Sequence, residues 1–338
     1  MTEEMYKRLN NYLNDIFIEL NDSDKIFVEN LRLIVILNII IDKFFTNKVI
    51  CEYNTNNLSF NDVFLLGREI IEYINPKYLK EYDELISSGK LEFNYDGSSE
   101  SAMYYKLNPD IKFIDIKRKF SYEDVNILIH EFIHYTELKD KIEITDNYIF
   151  FTEFIAIYFE KVAQKYLIEE KNIPIDEIPV NFRIIALYKS NKRFYKYSVI
   201  LLAYEILGDI NENTINDLDK ILKIKDGSFE QECIELLQKF DKINEFNNEK
   251  NSIFEMTELV NCDYKYIIGI FFAYYAFEHS KIEDMIKLND NINTEEYSCL
   301  SVKEILNTIG IKINKKMINQ TIDIIKNSIY YYEEKTKW

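Results

Sequence analysis

The sequence predicts a mainly α-helical protein with one small antiparallel β-sheet, and three observations carry that prediction. Seven Gly and four Pro in 338 residues are too few for the many turns of a sandwich, a barrel or a doubly wound sheet. Helix-spaced apolar residues run through most of the chain. Strand-like alternation is confined to one stretch before residue 120.

In chain order, residues 1–90 form an N-terminal helical region. Within it, 31–45 is apolar nearly all round and predicts a buried helix. Residues 61–74 are amphipathic and stop before Pro76. The segments 91–96, 102–107 and 111–117 are short and partly alternating, and GSSES and NPD separate them. They predict three antiparallel strands within 91–120. Helical patterns resume at Ser121 and continue to the C-terminus, broken by Pro174, Pro179 and polar loops. Residues 91–338 are therefore expected to be one compact region, with the sheet leading into a helical core.

Forty-one basic against fifty-eight acidic side chains give a net charge of −17, and the pI is near 4.8. That balance excludes nucleic acid and anionic membrane surfaces as natural partners. The longest apolar stretches are too short to span a bilayer. Cys51, Cys233, Cys262 and Cys299 form no CxxC pair, which fits reduced thiols. No signal pattern opens the chain, so a cytoplasmic location is expected.

Two of the three histidines fall in His130-Glu131-Phe132-Ile133-His134. On a helix, positions i and i+4 share a face, so both imidazoles reach one metal while Glu131 sits beside it. Ile127, Leu128, Ile129, Phe132 and Ile133 surround the motif. Three polar groups buried among them need a reason, and a metal provides one. Ser121 and Asp124 have the spacing of a capping box that starts this helix.

A catalytic zinc site takes three protein ligands and leaves one position open. An astacin-like extension would need Gly and His at positions 137 and 140, which are Glu137 and Asp140. His279 is distant in sequence, so a carboxylate is the better third ligand. Glu153 lies among Phe150, Phe151, Phe154 and Ile155, where an acid without a task is improbable. Small Ala156 nearby lets two helices approach. Glu160, seven residues on and on the same face, is expected to orient a ligand histidine. Asp124, Glu137 and Asp140 are lesser carboxylate candidates for the metal. The site therefore predicts one zinc ion per chain, held by His130, His134 and Glu153. Glu131 accepts the water proton and passes it to the leaving amine. A donor must also meet the oxyanion, since a missing one costs about 2.7–4 kcal/mol.

The stretch 114–134 resembles the approach to the active helix in oligoendopeptidase F and thimet-oligopeptidase-like metallopeptidases: a strand, a turn, Asp124-Val125, then Leu-x-His-Glu-Phe-x-His. Glu153, Ala156 and Glu160 match the family's third-ligand helix. Residues 264–273 look like its Tyr-x-Tyr-x-x-Gly-x-x-x-Ala segment, and 302–329 resemble its C-terminal tail, with Lys312 where Asp is common. The likeness covers roughly 110–335. It implies a zincin-type helical peptidase of the gluzincin kind, with residues 1–90 as channel wall and short unstructured peptides as substrates. It also implies that Tyr266 stabilises the oxyanion, with Tyr264 beside it.

Departures from the family are specific. Ile133 replaces a Gly, Glu137 replaces a His, Met256 stands near the place of another His, and the chain is little more than half the usual length. These departures give the alternative reading: a catalytically weak or inactive peptidase scaffold that binds peptides or a partner. The bland reading of 264–277 is a buried aromatic helix in which Gly269 permits packing, and His279 suits a helix C-terminus.

Overall fold

The computed structural model describes scattered positions between 30 and 41, and residues 57–94, 102–105, 112–137, 146–180, 182–188, 190–191 and 263–335. The chain divides into two compact units, 1–46 with 188–267, and 47–187 with 268–338. In the first, the described positions of the 31–45 stretch are helical. Ile34, Leu37 and Ile41 are buried at helical spacing, as its apolar pattern requires.

The second unit opens with α1 (Phe60–Ile74), which starts in a complete capping box. Ser59 Oγ accepts from the Asp62 N–H at 3.2 Å, and Asp62 accepts from the Ser59 N–H at 3.0 Å. Asn75 leaves the helix extended because Pro76 follows it, and a 3₁₀ turn (Pro76–Tyr78) leads into α2 (Leu79–Ser87). Strands β1 (Leu91–Asn94), β2 (Ala102–Tyr105) and β3 (Lys112–Lys117) come next. Helices α3 (Tyr122–Glu137), α4 (Asp146–Glu169), α5 (Asp263–His279, from Ile268 onward in this unit) and α6 (Ile282–Asn291) follow. Short α7 (Glu295–Ser298), α8 (Val302–Thr308) and long α9 (Lys315–Lys335) complete the described elements.

The mainly helical class holds, but the sheet is not antiparallel throughout. Its order is β1-β3-β2. β2 runs antiparallel to β3, whereas β1 runs parallel to it, with Leu91 opposite Ile114. Alternating residues show that a strand exists but not which neighbour it takes. β3 takes the middle place, and its Ile114 and Ile116 are fully buried. β1 then pairs in the same direction across the 95–111 connection, which is long enough for a parallel crossover.

The turn from β3 into α3 is tightly held. Phe120 adopts φ 56°, a region a bulky residue rarely visits. The Asp124 carboxylate accepts the N–H groups of Lys119 at 2.7 Å and Phe120 at 2.9 Å, and Ser121 Oγ accepts from the Glu123 N–H. The Arg118 guanidinium lies 3.3 Å from Asp124, with the rings of Phe60, Phe93 and Phe120 around it at 4.7, 5.3 and 4.8 Å. The helix that bears the histidine motif thus enters the core in a fixed direction.

Candidate metal centre

Helix α3 is buried along almost its whole length. Ile127 and Tyr135 alone are half-buried, each one turn from Glu131, which is 8% exposed. One lane of the helix therefore faces outward with Glu131 at its middle. His130 and His134 lie on the adjoining face, against α4.

The two imidazoles meet edge to face, with 4.6 Å between ring centroids. Their Nε2 atoms are 3.0 Å apart, and Glu153 Oε2 from α4 lies 3.4 Å from His130 Nε2. All three donor atoms lie within 4.8 Å of one another, and all three residues are buried. Ligands at about 2.0–2.1 Å from a tetrahedral ion stand about 3.3 Å apart, so this group of two nitrogens and one oxygen fits a metal ion.

The far side of each ring is also held. His130 Nδ1 is 3.0 Å from Glu160 Oε1. Arg183, in the helical segment 182–188, donates from Nε to Glu160 Oε2 at 2.8 Å and from its terminal nitrogen to Oε1, and that nitrogen lies 3.0 Å from His130 Nδ1. Burial pushes the Glu160 carboxyl up, but the Arg183 charge and its hydrogen bonds outweigh it and hold the pKa at about 2. His134 Nδ1 lies 3.2 Å from Glu137 Oε2 and 2.8 Å from Thr152 Oγ1. Burial disfavours the His134 cation, yet Glu137, then Glu153 and Glu131, raise its pKa to about 9 in the metal-free site.

Glu153 sits where another helix comes very close. A Cβ built on Gly269 of α5 would fall 2.8 Å from Glu153 Cβ and 2.9 Å from the Phe154 backbone nitrogen. Only a residue without a side chain fits there. Ala156, the small residue expected to let helices approach, is fully buried, and Gly269 brings α5 close to the Glu153 Cβ and backbone.

The remaining candidates are elsewhere. Asp124 holds the turn before α3. Tyr266 is half-buried with Lys265 Nζ 5.0 Å from its ring centroid, and it belongs to the first compact unit. The Tyr264 side chain, Asp140 and Met256 lie outside the described residues, as do Cys51, Cys233 and Cys262. The His279 ring packs 4.3 Å from that of Tyr275 at the end of α5. Arg183 and Thr152 had escaped the sequence reading. Thr152 had one available signal, its place beside Glu153. Arg183, 53 residues beyond His130, had none.

No family model matches the sequence, and no curated protein matches it. A solved X-ray structure of a protein provisionally designated oligoendopeptidase F superposes with a TM-score of 0.48 at 9% sequence identity, over 95% of this chain and 59% of that one. The chain thus spans less than two thirds of that protein's length. Among the described residues, no helix is long and apolar enough to cross a membrane.

Proposed function

We propose that this chain is a zinc-dependent metallopeptidase that hydrolyses short, unstructured peptides, with His130, His134 and Glu153 as the ligands of one zinc ion. The observation that carries the reading is the separation of the buried donor atoms, 3.0 and 3.4 Å, close to the edge of a zinc tetrahedron. Two imidazoles and one carboxylate from two helices suit zinc by donor type and leave a fourth position open.

The chemistry a zinc ion supplies when held there is a water acidified toward a pKa of about 7 and a polarised peptide carbonyl. The rest falls to the protein. Glu131 follows a ligand on its own helix and cannot turn back to share its position. It lies on the outward lane, where it takes the proton of the attacking water and delivers it to the leaving amine nitrogen. Glu160 accepts the His130 Nδ1–H, leaving the Nε2 lone pair for the metal, and Arg183 holds that carboxylate by donating to both its oxygens. The family resemblance assigns the oxyanion donor to Tyr266, with Tyr264 as the second candidate.

A fluorogenic peptide library digested by wild type and Glu131→Gln, with zinc measured in both, tests the reading. We expect one zinc per chain in both proteins and cleavage reduced by about 10²–10⁴-fold in the variant. Equal cleavage by the two sinks the assigned mechanism. Zinc retained with no turnover of any peptide by wild type favours a binding scaffold instead.

A further inference from the structure

Glu137 lies in the last described turn of α3, its side chain is fully buried, and the roles assigned above leave it without a task. Burial counts against its presence. A buried carboxylate is costly unless a cation or donors meet it. Among the described residues its Oε1 accepts no hydrogen bond, and its Oε2 turns to two partners. These are His134 Nδ1 at 3.2 Å and Thr152 Oγ1 at 3.2 Å, and the same hydroxyl is 2.8 Å from His134 Nδ1.

The donor and acceptor roles in this triangle allow one assignment when Nε2 binds a metal. The Nε2 lone pair is then taken, so the proton sits on Nδ1 and needs an acceptor. Thr152 Oγ1 accepts it at the shorter distance and donates its own hydrogen to Glu137 Oε2, which also draws the Nδ1–H directly. A ligating role for Glu137 is excluded because it meets the opposite edge of the ring from Nε2. Thr152 immediately precedes Glu153, so one turn of α4 supplies both a metal ligand and the clamp on another.

Building on the metallopeptidase reading, we infer that Glu137 and Thr152 are positioning residues for His134, a second clamp independent of the one Glu160 and Arg183 form on His130. Losing an outer partner of a ligand histidine costs 10–100-fold in metal affinity as a rule.

The test is zinc affinity of the full-length chain by competition with a chromophoric chelator, for wild type, Glu137→Ala, Thr152→Val and Thr152→Ser. Each cobalt(II) complex is also examined by its visible spectrum. We expect about 10–100-fold weaker zinc binding in Glu137→Ala and Thr152→Val, altered cobalt bands, and recovery in Thr152→Ser. Thr152→Val is nearly isosteric, so it reports even where Glu137→Ala folds poorly. Zinc affinity and cobalt spectra within twofold of wild type in both variants overturn the inference and leave the metallopeptidase reading standing. A wild-type chain that binds no zinc overturns both.

Discussion

At the scale of the residue, the centre is a balance of buried charge. Glu131, Glu137, Glu153 and Glu160 are each at most 8% exposed, and Arg183 is a cation in direct contact with Glu160. In the metal-free chain His134 supplies a second positive charge, because its carboxylate neighbours raise its pKa to about 9 despite burial. The folded value lies above the ordinary one near 6.5, so the stability this charge contributes is fully present below about pH 6.5 and is lost as pH rises through about 9. A metal needs the neutral ring, so the sign reverses for binding. On the proposed reading, a zinc ion bound here would displace a proton from His134 below about pH 9. We expect the apparent affinity to rise by up to about tenfold per pH unit toward pH 9 and then level off. Titrations between pH 6.5 and 9.5 in buffers of different ionisation enthalpy measure both the slope and the released proton. A pH-independent affinity across that range would contradict a charged His134.

At the scale of the element, helix contacts decide whether the donors meet. α3 carries the motif, but its rotation is set by the Arg118–Asp124 turn at one end and by packing against α4 along its length. α4 must hold Glu153 at a fixed height, and α5 backs it there through Gly269. A methyl group at Gly269 meets backbone rather than the end of a flexible side chain, so the helices must part. Gly269→Ala is expected to cost about 1–3 kcal/mol of stability and to weaken zinc binding as well. Denaturant unfolding of the metal-free chain beside zinc competition separates the two effects. Unchanged affinity for zinc would show that Glu153 is not held by this contact. Gly310 has a different task. At φ 80° it ends α8, its N–H and that of Ile311 reaching back to the carbonyls of Asn307 and Leu306.

At the scale of the whole molecule, a metal bound only by the folded chain stabilises it by mass action. At a thousandfold excess over Kd the gain is about 4 kcal/mol, on the order of 6 °C in melting temperature for a chain of this size. We expect chelation to lower the melting temperature by roughly that amount, and His130→Ala to abolish the difference. A scan with and without chelator measures it; equal melting temperatures for the wild type would argue against a bound metal. Much of this organisation was legible in the residues. The spacing of His130 and His134 is a property of any α-helix, the amphipathic 61–74 segment ends where Pro76 demands, and few glycines and prolines mean long helices. Those features are local, and local periodicity is what sequence encodes most directly. The parallel pairing of β1 with β3, the Arg183 fork on Glu160 and the Thr152–Glu137 clamp on His134 depend on groups distant in sequence or on rotation about a helix axis. By itself the sequence determined the helical class and a pair of histidines fit for a metal. Only the tertiary structure decided which carboxylates face which ring nitrogen, because that follows from how α3, α4 and α5 pack together rather than from any spacing along one of them.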